Sequence, residues 1–175
     1  DKINFFERSK HPYYIVAPEF RQTSGGIRAL HYLCHALNEI GYEAYITTPQ
    51  NECTNPHLRT PTLTPEIRTQ HKSLGLIPIG VYPEVTIGNP LDLQVVARWI
   101  LNKPGHLGGE STYDTRELIF YWDNWVITDA ISHGEKLQIP IVDRRIFNNN
   151  STQHRMGFCY YANKYFKFSK KLSPI

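Results

Sequence analysis

The sequence predicts an α/β protein with a doubly wound, mainly parallel, Rossmann-like sheet, and three observations point to this class. Apolar runs rich in β-branched and aromatic residues alternate with amphipathic segments of helix length. Glycine and proline punctuate these segments. The 175 residues, 41% hydrophobic and 20% charged, suffice for one well-cored globular domain. We therefore expect a single domain over residues 1–175, with its core at 12–162 and a tail or linker at 163–175.

Residues 13–48 are typical of a βαβ unit. Apolar runs at 13–18 and 43–48 flank a helical segment, so the strands need a crossover connection and should lie parallel. The apolar face of the helix recurs at spacings of three and four and consists of Ile27, Leu30, Cys34 and Leu37. Gly41 is expected to end this helix.

The later elements follow from the same signals. Thr64-Pro65-Glu66 predicts a helix start, with a capping hydroxyl and a proline at the first position, and the helix should reach about Ser73. Asn89-Pro90 predicts a second such start, for a helix through Leu101. Further strands are predicted at 77–83, 117–122, 139–143 and 157–161. Periodicity leaves residues 126–131 open between a helical turn and a strand edge.

The loop Ser24-Gly25-Gly26 is the most informative stretch for function. Two residues without Cβ precede a helix N-terminus, where unpaired N–H groups and the helix dipole favour an anion such as a phosphate. The alternative is that the glycines only make a tight strand-to-helix turn. The pattern is neither a P-loop nor Gly-x-Gly-x-x-Gly, and the second strand ends without the acidic residue that binds a ribose, so a dehydrogenase is disfavoured.

Loops that leave the carboxyl ends of parallel strands share one rim of the sheet, where ligands gather. The polar and glycine residues predicted on this rim are Glu19, Arg21, Gly25, Gly26, Arg28, Glu84, Asn89 and Asp123. The positive charge of Arg28 is expected to help bind an anion at this rim. The alternative is that the Arg28 side chain is solvated and has no role in binding. Glu84 and Asp123 are the candidates for orienting an acceptor or acting as general base. The competing interpretation places Glu84 in a turn and Asp123 at a helix cap.

Two blocks of sequence resemble the large retaining family of GT-B glycosyltransferases, and in particular a bacterial branch that builds surface polysaccharides. The first block is Ser24-Gly25-Gly26, Ala29-Leu30, Leu33, Ala36-Leu37, Gly41-Tyr42-Glu43-Ala44 and Ile46-Thr47-Thr48-Pro49. The second is Tyr82-Pro83-Glu84, Gly88-Asn89-Pro90-Leu91 and the run from Val96 to Gly105. Together the blocks cover about half of the chain by inspection of the pattern.

The resemblance implies the amino-terminal, acceptor-side half of a transferase. Such a domain works with a carboxyl-terminal domain that binds most of the donor, so this chain should have little activity alone. The implied substrates are a nucleotide sugar as donor and a glycan or lipid-linked acceptor, with no further cofactor and no obligatory metal. Gly25 and Gly26 would then face the donor's diphosphate or sugar. The implied location is cytoplasmic, either free or peripheral at the inner face of the membrane.

Other classes of function are less well supported. His31, Cys34 and His35 have helical spacing, but no further Cys or His pair completes a metal site. The three cysteines lack paired spacing, which indicates a reducing compartment. The net charge of +3 is mild, and the lysines interleaved with aromatic residues after residue 163 suit a solubilising tail or membrane contact better than nucleic acid. The main rival is a non-catalytic Rossmann-like module that binds a ligand or docks a partner.

Overall fold

In the computed structural model, the described residues 11–48 and 55–142 form a parallel sheet of six strands. The strands are β1 (Tyr13–Val16), β2 (Ala44–Thr47), β3 (Ile79–Pro83), β4 (Val95–Ile100), β5 (Leu118–Tyr121) and β6 (Glu135–Lys136). The helices are α1 (Gly25–Glu39) and α2 (Pro65–Ser73). The sheet order is β2-β1-β3-β4-β5-β6, and every neighbouring pair is parallel. The predicted α/β class with a parallel, Rossmann-like sheet is confirmed.

The chain divides into two compact units, Asp1–Ile141 and Val142–Ile175. The sheet and both helices belong to the first unit, and Val142 is the only described residue of the second. The strand predicted at 157–161 and the basic, aromatic segment after residue 163 lie outside the described residues. No helix in ranges 11–48 and 55–142 is long and apolar enough to cross a membrane.

The two helices lie on opposite faces of the sheet. Neighbouring side chains along a strand point to opposite faces, and the adjacent residues Tyr14 and Ile15 of β1 contact different helices. Helix α1 covers the face that carries Ile15 of β1, in a core with Leu30 and Cys34 of the helix. Helix α2 covers the opposite face, where its buried His71 contacts Tyr14 of β1. The βαβ unit is thus formed as predicted, and Cys34 is fully buried on the apolar side of α1.

The helix predicted after Ser24-Gly25-Gly26 and the helix start predicted at Thr64 are both present, and each has a hydroxyl cap. The Ser24 hydroxyl accepts the Ile27 N–H at 3.5 Å, and the Thr64 hydroxyl accepts the Ile67 N–H at 3.4 Å. Gly41 follows α1 with a φ of +92°, a left-handed conformation that glycine adopts without steric cost.

The helix predicted from Asn89 to Leu101 is wrong, because this segment forms a turn and then strand β4. Residues 96–100 are buried without interruption, as in a central strand that is covered on both faces. Such a strand has no amphipathic alternation, so its apolar residues can mimic helical spacing. The helix start predicted at Asn89-Pro90 is a turn, in which the Asn89 side chain forms hydrogen bonds with the backbone of Leu93.

The strand predicted at 139–143 is also wrong in its described part, since residues 139–142 are irregular. The edge strand is instead the short β6, and its Glu135 and Lys136 are both exposed. Exposed charged residues on an edge strand carry no hydrophobic signal. The sequence left residues 126–131 undecided between a helical turn and a strand edge. The structure has two short 3₁₀ helices there, Asn124–Val126 and Asp129–Ile131.

Loops cover the second face of the sheet above β3 and β4, and Arg98 of β4 holds them in place. Its side chain is fully buried and donates from Nε and Nη2 to the two carboxylate oxygens of Glu117, each at 2.8 Å. It also donates to the carbonyl oxygens of Thr86 at 2.7 Å and Gly88 at 2.9 Å. One arginine therefore anchors the loop after β3 and the loop before β5.

Candidate functional site

The candidate site lies at the carboxyl ends of β1 and β3, where the strand order reverses. From β1 the chain passes to β2 on one side, and β3 lies on the other side of β1. The connections after β1 and β3 therefore run away from each other, which leaves a crevice between them. Parallel α/β sheets commonly bind ligands in such a crevice. The loop from β1 to α1 and the residues after β3 border this crevice.

The N-terminus of α1 presents bare backbone to the crevice. A Cβ placed on Gly25 would have no heavy atom within 4 Å. One on Gly26 would have only Leu101 as a neighbour, at 3.8 Å. The first hydrogen bond within the helix runs from the Arg28 N–H to the Ser24 carbonyl at 3.0 Å. The amides of Gly25 and Gly26 therefore precede the helical ladder, and a small anion can approach them.

Glu84 and Gly26 have a common neighbour, Leu101. The Glu84 carboxylate oxygen Oε2 accepts the Leu101 N–H at 2.9 Å, and Leu101 is also the neighbour of Gly26. A Cβ on Gly109, which has a φ of +77°, would overlap the backbone of Glu84 and Val85, so that close approach requires glycine. Glu84 is only 4% exposed. In this arrangement Glu84 joins the ends of β3 and β4 and positions the rim.

Arg28 and His31 follow the glycines by about one turn and two turns of α1. The Nε of Arg28 is buried and has no hydrogen-bond partner among the described residues. His31 Nε2 donates to the Pro18 carbonyl at 2.9 Å, which holds the loop after β1 against the helix. Burial lowers the pKa of His31, although the bond to Pro18 opposes this shift. His31 is thus a neutral anchor of the site, a role that its sequence position did not indicate.

The cysteine and histidines of α1 make separate contacts. His35 Nδ1 accepts the Arg59 N–H at 3.0 Å. Burial raises the pKa of the Cys34 thiol to about 12. No group of three or more His, Cys, Asp and Glu side chains within 11–48 and 55–142 is arranged to hold a metal ion.

Asp123 lies on the same rim but beyond β5, three strands from β1. Its carboxylate oxygen Oδ1 accepts from Lys136 Nζ at 2.9 Å and from the Asn124 N–H at 2.8 Å. The hydrogen bond from Lys136, followed by that from Asn124, lowers the pKa of Asp123. The interpretation of Asp123 as a cap therefore holds, and the structure does not bring this carboxylate to Gly25. Nearby Trp125 is half exposed on the same rim.

Asn89 lies away from the rim on which it was predicted. Its Oδ1 accepts from the Tyr82 hydroxyl at 2.7 Å and from the Leu93 N–H at 3.2 Å. Its Nδ2 donates to the Leu93 carbonyl at 2.8 Å. Leu93 precedes β4, so Asn89 belongs to the amino end of that strand. The prediction had placed it at a helix start on the rim, and no helix forms there.

No family model matches the chain, and neither the curated proteins nor the solved structures contain a significant match to it.

Proposed function

We propose that the chain is the acceptor-side domain of a GT-B glycosyltransferase, which transfers a sugar from a nucleotide-sugar donor to a carbohydrate or lipid-linked acceptor with retention of configuration. The observation that carries this proposal is the bare N-terminus of α1 at the reversal point of a parallel sheet. The sequence resemblance described above supports the choice of sugar transfer among the reactions that such a site could serve.

The proposed catalytic contribution is electrostatic. The N–H groups of Gly25 and Gly26, with the dipole of α1 behind them, would stabilise negative charge that develops on the departing diphosphate. These dipoles are already oriented by the Ser24 cap, so little reorganisation is needed during the reaction. A second domain, closing over the rim, would exclude water from the crevice.

A non-catalytic binding module is the second candidate function, and the state of the two predicted carboxylates favours it. Glu84 is engaged with the Leu101 amide and Asp123 with Lys136. A general base must reach the proton that it removes, whereas a binding module needs only the glycine loop. The two functions differ in whether a longer chain turns over substrate.

The deciding experiment compares the 175-residue chain with a chain extended by a further domain of about 150–200 residues. Sugar transfer from UDP-glucose and dTDP-glucose to a lipid-linked acceptor, and binding of both donors by calorimetry, are measured for each chain. We expect weak binding and no transfer by the short chain, and both binding and transfer by the longer one. Tight binding by the longer chain without transfer to any acceptor would favour the non-catalytic module.

Gly25→Val in the longer chain tests the proposed site itself. The fold leaves room for this side chain, so the variant should stay folded, but its methyl groups would keep a diphosphate from the amides. We expect donor affinity to fall about tenfold or more, the loss that follows when charge-assisted hydrogen bonds are removed. Thr23→Val, which adds no bulk at the amides, is the matched control. Equal affinities in both variants would refute the site.

A further inference from the structure

A concave site lies on the face of the sheet opposite α1. The cavity has a volume of about 590 Å³ and runs between α2 and residues 92–94. This volume falls within the range of about 300–1,000 Å³ that is usual for small-molecule sites. Its apolar lining consists of Pro65, Leu76, Ile77, Pro78 and Leu93.

The cationic wall of this cavity belongs to α2. Arg68 and Lys72 are four residues apart and therefore share one side of the helix. Both are exposed, and neither forms an ion pair with a carboxylate in the described ranges. Arg68 Nη2 donates across the cavity to the Leu91 carbonyl at 3.3 Å. Two cations thus meet at one cavity without an acidic partner of their own.

A chain of hydrogen bonds holds the floor of the cavity. Tyr14 is 1% exposed, and its hydroxyl bonds to Nδ1 of His71 at 2.6 Å. His71 Nε2 in turn donates to Glu43 at 3.0 Å. Burial raises the pKa of Tyr14, and the charge of Arg68 opposes that rise.

Acceptors for hydrogen bonds lie on the opposite wall. Asp92 occupies a left-handed conformation with a φ of 52°, and Gln94 follows just before β4. The cavity is therefore bounded by two positive charges on one side and by one carboxylate and one amide on the other. A ligand that satisfies both walls carries an anionic group and hydroxyl groups.

This cavity is separate from the glycine rim. Ile77 and Pro78 precede β3, and Leu93 and Gln94 precede β4, so these lining residues lie at the amino ends of the strands. Gly25 and Glu84 lie at the carboxyl ends. A ligand in the cavity does not compete for the α1 N-terminus.

We propose that the cavity beside α2 binds a small polyhydroxylated anion, that is, a sugar-sized molecule with a phosphate or carboxylate group. Arg68 and Lys72 take the anionic group, while Asp92 and Gln94 accept hydrogen bonds from hydroxyl groups. The apolar residues of the lining contact the body of the ligand. This site does not depend on the proposed transfer reaction.

The test follows amide chemical shifts of the 175-residue chain during titration with glucose 1-phosphate, glucuronate, glucose and inorganic phosphate. We expect both anionic sugars to perturb the amides of residues 68–72 and 91–94 and to bind at least about tenfold tighter than glucose or inorganic phosphate. Arg68→Gln and Lys72→Gln should each weaken this binding by about tenfold. Thr69→Phe, which fills the cavity from the same helix, should abolish it.

Two control variants separate this site from other positive charge. Arg59→Gln and Arg116→Gln each remove an exposed cation outside the cavity, and both variants should bind the anionic sugars like the unmodified chain. The proposal is overturned if neither anionic sugar binds, if inorganic phosphate binds equally well, or if Arg68→Gln and Lys72→Gln retain full affinity. Loss of binding in Gly25→Val alone would place the anion at the rim and also refute it.

Discussion

At the scale of single residues, His31 shows how the fold holds a polar group in its core. The imidazole is fully buried, one nitrogen donates to Pro18, and Nδ1 has no partner among the described residues. The ring of Phe20 lies edge-on to it at 5.3 Å. A protonated imidazole would place an uncompensated charge in this setting, so the folded chain favours the neutral form.

We therefore expect His31 to make stability depend on pH. Burial lowers its pKa from 6.5, so below pH 6.5 the unfolded chain takes up the proton first. The stabilisation of the folded chain by neutral His31 is fully present above pH 6.5. It is lost as the pH falls from 6.5 towards the lower pKa that His31 has in the folded chain. His31→Gln, whose amide can still donate to Pro18, should flatten this part of the profile. Urea midpoints measured from pH 7.5 to 5 check the slope, and identical slopes would contradict the assignment.

At the scale of elements, the unusual feature is the replacement of covering helices by loops over β3 and β4. The Arg98 guanidinium makes this possible, because it satisfies loop carbonyls and Glu117 at once. It also lies over the rings of Tyr82 at 5.3 Å and Tyr113 at 5.0 Å, in cation–π geometry. Removal of the Glu117 carboxylate would leave the buried charge of Arg98 only partly compensated.

Glu117→Ala should therefore destabilise the fold by about 3–5 kcal/mol, the usual cost when one partner of a buried ion pair is removed. The matched control is Arg116→Ala, which breaks the neighbouring Arg116–Asp114 pair, in which the arginine side chain is 88% exposed. Solvent screens that pair, so the control should leave the urea midpoint unchanged within error. Equal effects of both substitutions would show that burial of Arg98 does not matter.

The sequence predicted the elements whose signals are local. The cap at Thr64 and the stop at Gly41 specify backbone hydrogen bonds within one turn. Together with the apolar spacing along α1, they located both helices. Strand β4 was missed because its burial depends on what covers it, and a charged Arg98 in mid-strand is intelligible only once Glu117 lies beside it. Long-range pairing of this kind leaves no periodic trace.

The same distinction applies to the candidate site. Gly25 and Gly26 were proposed because glycine before a helix has a direct conformational meaning, and the open space beside Gly25 is what an anion site there would need. The anchoring role of His31 was missed because its partner, Pro18, is 13 residues away. Asn89 was misplaced because the helix assumed after it does not exist. The cavity beside α2 was missed because it is assembled from segments far apart in sequence.

At the scale of the whole molecule, the described sheet offers two separate surfaces for ligands. The rim at the carboxyl ends presents unpaired amides of α1, and the cavity beside α2 presents Arg68 and Lys72. The central claim is that the first of these receives the diphosphate of a nucleotide sugar. Full occupancy would need the second domain that the proposed function assigns to a longer chain.

The most direct test of this claim follows the amides of Gly25 and Gly26 in the 175-residue chain by ¹H–¹⁵N spectroscopy during titration with UDP-glucose, because new hydrogen bonds to phosphate oxygens move amide protons downfield. We predict saturable downfield shifts of both amides, with Gly25→Val reducing them and Thr23→Val leaving them unchanged. Unchanged Gly25 and Gly26 signals at donor concentrations well above the Kd that calorimetry gives for the same 175-residue chain would contradict the claim.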